Sequence, residues 1–124
     1  MKSRVGKPLK SSKSLKQLFM FGILKSLFSD ASDAQLKEAI AEGAFLVDVR
    51  TPGEFAAGSV KGAVNIPLDE IPSSLAKFKG KKNIVVFCQS GNRSGQAKHF
   101  LEQNGIQDVI NGGGWRNVYE MVNK

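Results

Sequence analysis

The sequence predicts an α/β sandwich built on a mainly parallel sheet with helices on its faces. Three observations carry that expectation. Short apolar runs at Phe45-Leu46-Val47-Asp48-Val49, Ile84-Val85-Val86-Phe87 and Val109-Ile110 read as strands buried on both faces. Helix-like segments lie between them, and strands alternating with helices favour parallel pairing. The chain has 124 residues, enough for one domain with a real core and no disulfide staple.

Taken in order, Ser32-Asp33-Ala34-Gln35 reads as a capping box opening a helix, with Leu36, Ala39 and Ile40 on one face and Gly43 as its stop. The strand at 45–49 ends where Arg50-Thr51-Pro52-Gly53 breaks it, and Pro52 suits the first turn of a short helix containing Glu54 and Phe55. Gly58 and Gly62 flank a turn, and Ala63-Val64-Asn65-Ile66 is a brief strand before Pro67. Ser73 to Phe78 forms a short helix closed by Gly80. The strand at 84–87 leads through Cys88 into a helix from Ser94 to Gln103, which Asn104-Gly105 ends as a left-handed cap. After Val109-Ile110, Asn111-Gly112-Gly113-Gly114 reads as a loop and Trp115 to Val122 as a closing helix.

The net charge of +7 is not spread evenly. Lys2, Arg4, Lys7, Lys10, Lys13, Lys16 and Lys25 account for all of it, and the remainder of the chain is balanced. Residues 1–28 are therefore set apart as a basic N-terminal arm with a short apolar segment, and 29–124 as the globular domain. A polybasic arm can meet nucleic acid or anionic lipid, but the body has no basic stripe, and no nucleic-acid partner is expected. Leu18 to Leu24 is far shorter than the roughly 20 apolar residues of a membrane span. Three readings of the segment stay open. It packs on the domain, with Leu27-Phe28 as a first strand, or it is an export signal cut near Ser29-Asp30-Ala31, or it is a surface membrane anchor. A cytoplasmic location is expected, with export or membrane association as the alternatives.

The chemistry centres on Cys88-Gln89-Ser90-Gly91-Asn92-Arg93-Ser94. It holds the only cysteine, so no internal disulfide can form. A loop between a strand and a helix N-terminus gathers free backbone N–H groups and the positive end of the helix dipole. A cysteine placed there has a lowered pKa and acts as a nucleophile. Gly91 and Asn92 suit a sharp turn, and Arg93 adds a permanent charge that can lower the thiolate pKa and hold an oxyanion. No metal or organic cofactor is expected, since His99 has no companion ligand and sits too far along the helix to serve Cys88 as a base.

Three segments together resemble the single-domain rhodaneses, a family of sulfurtransferases. They are Asp48-Val49-Arg50-Thr51-Pro52-Gly53-Glu54-Phe55 with Gly58 to Pro67, the Cys88 loop, and Asn111-Gly112-Gly113-Gly114-Trp115. Ser59 departs from the pattern, since many members carry His there. The resemblance implies a three-layer sandwich and a Cys88 persulfide, loaded from thiosulfate or a similar donor and unloaded to cyanide, a cellular thiol or a protein thiol. Cys88 and Arg93 are then catalytic, and Gln89, Ser90, Gly91, Asn92 and Ser94 bind substrate. Asp48 and Arg50 are read as pairing to hold the loop, with a catalytic role as the alternative. Trp115 either walls the site or anchors the last helix. Only four residues separate Cys88 from Arg93, one fewer than in cysteine-dependent tyrosine phosphatases, which disfavours phosphatase or arsenate reductase chemistry. A non-catalytic binding module is the remaining alternative.

Overall fold

The strand that ends in Cys88 runs through the middle of the molecule. The computed structural model describes residues 32–124; the arm assigned to residues 1–28, including the strand considered at Leu27-Phe28, lies outside the described residues. The elements are α1 (Asp33–Ala41), β1 (Phe45–Asp48), α2 (Pro52–Ala57), β2 (Val64–Asn65), two 3-10 helices (Leu68–Glu70 and Pro72–Lys77), β3 (Ile84–Cys88), α3 (Asn92–Gln103), β4 (Val109–Gly114) and α4 (Trp115–Val122). The four strands form one sheet in the order β2-β1-β3-β4, and all three pairings are parallel.

Every residue of β3 is buried, as its unbroken apolar run requires of a central parallel strand. Side chains alternate between the faces of a strand. Val85 and Phe87 therefore join Leu36, Ala39, Leu46 and Val118 on the α1/α4 side. Ile84, Val86 and Cys88 face the other layer, with Ile71, Phe78, Ala97 and Leu101 from the 3-10 segment and α3. Each fully buried aliphatic side chain contributes roughly 1.5–3 kcal/mol, so β3 is fixed from both sides and Cys88 can point only into the α3 layer. The result is the α/β three-layer arrangement expected.

Local signals mostly act where sequence placed them, and the differences have physical reasons. Ser32 Oγ accepts the Gln35 N–H at 3.2 Å, starting α1, while the reciprocal capping box forms instead at Thr51 and Glu54 in α2. The segment expected as a short helix from Ser73 to Phe78 is a 3-10 helix over Pro72–Lys77, kinked at Ser74. The largest difference is Asn111 to Gly114, expected as a loop, which continues β4 as strand. Its pairing slips near the site: Val86 lies opposite Asn111 but Cys88 opposite Gly114, so β4 carries an extra residue there, as in a β-bulge. The glycines serve close packing. A Cβ on Gly112 would lie 2.9 Å from both Val118 Cγ2 and Val85 Cγ1, and one on Gly114 would lie 2.9 Å from the Gln89 carbonyl oxygen.

Gly112→Ala forces stiff valine side chains on two elements apart, so it is expected to lower stability by about 1–3 kcal/mol. Urea unfolding followed by circular dichroism measures this, and an unchanged midpoint would refute the packing role.

Candidate active site

Cys88 ends β3 at the carboxyl edge of the sheet, and its residue is 1% exposed. Its backbone leads into a turn that only an unusual conformation can close. Gly91, the N-cap of α3, has φ of 98°, a left-handed geometry that glycine adopts without steric penalty. The turn brings the Gly91 N–H to 3.0 Å from Cys88 Sγ and the Ser94 N–H to 3.4 Å. Ser94 Oγ lies 3.4 Å from the same sulfur. Helix α3 starts at Asn92, two residues before the expected Ser94. Arg93 and Ser94 therefore lie in its first turn, where the helix dipole favours negative charge.

Two opposing effects act on the thiol. Burial pushes its pKa up. Hydrogen bonds from the Ser94 side chain and from the Ser94, Ser90 and Gly91 backbone outweigh burial and hold it below the ordinary thiol value. The sulfur thus sits in a pocket of donors that favours its anionic form.

Around this cradle the charges are paired. Asp48 is fully buried and accepts from Arg50 Nη2 at 2.7 Å, Arg50 Nε at 3.0 Å, the Arg50 N–H at 3.0 Å and Ser59 Oγ at 2.6 Å. Arg50 Nη2 also donates to the Gly58 carbonyl at 2.7 Å. A buried ion pair satisfied in this way keeps both charges without orphaned groups. The guanidinium of Arg50 stacks on Trp115, 5.0 Å from the ring centroid, and Arg116 stacks on the same ring at 4.8 Å. Arg93 is forked onto Glu54, with Nη1 to Oε1 at 2.8 Å and Nη2 to Oε2 at 3.1 Å. The Arg93 hydrogen bond, with the Thr51 N–H, lowers the Glu54 pKa to about 2. The pair is therefore intact above the ordinary carboxylate range and is lost only as pH falls through about 2.

The Rhodanese-like domain family matches residues 32–121. The chain belongs to this family. A sulfurtransferase of Allochromatium vinosum is 35% identical over 82 residues, covering 66% of this chain and 77% of that protein. The Escherichia coli thiosulfate sulfurtransferase PspE is 39% identical over 74 residues, covering 58% and 71%. A solved human single-domain sulfurtransferase superposes with a TM-score of 0.61 at 34% identity, covering 73% of this chain and 95% of that one. Rhodanese-type sulfur transfer is the activity class that these named relatives support.

The rhodanese fold brings the expected residues together, but not all in the expected posture. Gln89, Ser90 and Asn92 are exposed at the rim of the loop and Gly91 is buried within it. Ser94, expected to contact substrate, is fully buried and sits beneath the sulfur. Arg93, expected to lower the thiol pKa and hold an oxyanion, forks both terminal nitrogens onto Glu54 while its charge still attracts that of Cys88; hydrogen bonds from Ser94, Ser90 and Gly91 lower the thiol pKa. Trp115 is half-buried, packed on the α1/α4 cluster and clasped by Arg50 and Arg116. His99 is exposed.

Four contributors went unread in the sequence. Glu54 was visible as the fourth residue of a Thr51-x-x-Glu54 capping box. Ser59, noted only as a departure from the family pattern, donates its hydroxyl to Asp48 at 2.6 Å. Asn65 Nδ2 ties the backbone carbonyls of Asp48 and Arg50 at 2.9 and 3.0 Å. Asn111, read as loop, is buried in β4, and a polar residue in register with a core strand was its signal.

Removing the Glu54 charge frees Arg93 and deletes a nearby anion, and both effects favour thiolate. Glu54→Gln is expected to move the pH midpoint of Cys88 alkylation down by roughly a few tenths of a unit, less at high salt. An upward shift would contradict the pairing.

Proposed function

We propose that the protein is a thiosulfate-type sulfurtransferase in which Cys88 carries sulfane sulfur as a persulfide. The observation that carries this reading is the convergence on Cys88 Sγ of the Gly91 N–H at 3.0 Å and the Ser94 N–H at 3.4 Å, with the Ser94 hydroxyl also 3.4 Å from the sulfur. Such a cradle favours a thiolate before reaction and an anionic sulfur after it.

In the first half-reaction, the Cys88 thiolate attacks the outer sulfur of thiosulfate. A new S–S bond forms, the donor's S–S bond breaks, and its electron pair leaves with sulfite. The enzyme is left as Cys–S–S⁻. The added sulfur lengthens a side chain that is itself almost wholly buried, carrying the transferable atom toward the exposed rim at Gln89, Ser90 and Asn92. In the second half-reaction, cyanide or a thiolate attacks that outer sulfur, taking it as thiocyanate or as a new persulfide and restoring the Cys88 thiolate. This is covalent catalysis of the ping-pong kind. With Cys88 as the only cysteine, no internal thiol can resolve the persulfide, so the acceptor is a separate small molecule or a protein thiol. Arg93 gives two of its five N–H donors to Glu54, so the remaining N–H groups, or a loosening of this half-exposed pair, let it meet an anionic donor.

Incubation with thiosulfate is expected to add one sulfur atom to Cys88, seen by intact-mass spectrometry, and added cyanide to remove it as thiocyanate. Cys88→Ser is expected to lose both steps. A protein whose mass does not change would favour a binding module, and full turnover by Cys88→Ser would overturn the mechanism.

A further inference from the structure

Asn111 is 2% exposed and Ser94 fully buried, so no bulk water competes for their hydrogen bonds. The partners of Asn111 fix its amide. Nδ2 donates to the Gly91 carbonyl at 3.1 Å, and Oδ1 accepts the Gly113 N–H at 2.9 Å. Neither partner can exchange roles, so the atom 2.7 Å from Ser94 Oγ is an acceptor. The hydroxyl has one proton to give. While that proton lies on Asn111 Oδ1, the contact between Ser94 Oγ and Cys88 Sγ at 3.4 Å can only be S–H donating to oxygen. That chain, S–H to O–H to C=O, describes a protonated cysteine.

We infer that the Ser94 hydroxyl is a two-position donor, aimed at Asn111 Oδ1 when Cys88 is a thiol and at Cys88 Sγ when the sulfur is anionic, with Asn111 as the positioning residue that holds the first position. When Cys88 ionises, its proton leaves to solvent and no other bond to hydrogen breaks; the Ser94 hydroxyl keeps its proton and turns. Oδ1 is not orphaned, because it retains the Gly113 N–H. The same asparagine anchors Gly91, whose N–H is already on the sulfur, so the backbone donor stays in place while the hydroxyl moves. Conversion to persulfide moves the negative charge from Sγ to the outer sulfur, and the hydroxyl then returns to Asn111. That last step rests on the sulfur-transfer reading; the thiol–thiolate step does not.

The charged groups grouped about the loop do not share this motion. Arg93 of α3 feels the charges of Glu54, Cys88 and Asp48. It is forked to Glu54 of α2, and Asp48 of β1 is tied to Arg50. From β4 the facing residues are Asn111 and glycines, and Arg116 of α4 lies on the Trp115 ring. The hydroxyl position is thus set by the sulfur's own charge.

The test follows the Gly113 amide proton by NMR in the full chain across the Cys88 titration. When Ser94 turns away, the Gly113 N–H becomes the sole donor to Oδ1, so its resonance is expected to move downfield with the Cys88 midpoint in the native protein and to stop following it in Ser94→Ala. A Gly113 resonance that ignores the native titration, or follows it equally in Ser94→Ala, would overturn the inference. A second readout is the midpoint of Cys88 alkylation. Loss of the Gly91 anchor acts in either background, but only a present Ser94 can be released toward sulfur. Asn111→Leu is therefore expected to move the midpoint lower, by at least about half a pH unit, with Ser94 present than with Ser94→Ala; equal displacements would overturn the coupling. Neither readout needs turnover, so a protein that passes both yet gains no sulfur from thiosulfate keeps the switch while the sulfur-transfer reading fails.

Discussion

An anionic sulfur held out of water is unfavourable unless hydrogen bonds replace the solvent it has lost. Much of the structure around Cys88 answers that constraint. Burial on both faces fixes β3 and leaves the cysteine no direction but the α3 layer. The left-handed Gly91 folds the loop back so that its N–H meets the sulfur, and α3 begins early enough for the Ser94 N–H and hydroxyl to do the same. Asn111 then ties the Gly91 carbonyl, Ser94 and Gly113 together, and the bulge in β4 beside Cys88 sets Asn111 and Gly114 in register with β3. The backbone donors are held in place before any substrate arrives, which is the form of electrostatic preorganisation that costs no rearrangement during reaction, and the one buried hydroxyl, Ser94, needs only to turn from Asn111 to the sulfur.

Side-chain charge has a different part. Both arginines nearest the loop are engaged, Arg50 with buried Asp48 and Arg93 with half-exposed Glu54. The first pair is structural: it stitches β1 to the Gly58-Ser59 turn and gives Trp115 a cation to pack against. The second lies where solvent screens it, so it can open at small cost. The cradle therefore does not advertise a strong fixed positive charge, and the preference for an anion comes from dipoles aimed at one atom rather than from net charge around it.

Much of this was legible in the sequence because it rests on short-range rules. Unbroken apolar runs announced the buried strands, and caps and breakers announced the helices between them. The Cys88 loop could be read as a thiolate site because a strand, a glycine-bearing turn and a helix start are adjacent in the chain. The less legible parts are long-range. Asn111 through Gly114 look like a loop when glycines are read only for flexibility. Their reason for being small is Val85, Val118 and the Gln89 carbonyl, distant in sequence. Arg93 looks free until Glu54, 39 residues away, is brought beside it. Ser94 looks like a rim residue until the early start of α3 turns it beneath the sulfur, against Asn111 from another strand.

The most direct measure of whether the fold builds an anion cradle is the ultraviolet absorbance of the Cys88 thiolate against pH, in the folded protein and again in the same chain unfolded in urea. Donors that outweigh burial place the folded midpoint below the unfolded one, and stability then rises with pH between the two. A folded midpoint equal to or above the unfolded one would mean that burial prevails, and the account of Cys88 as a poised nucleophile would fail.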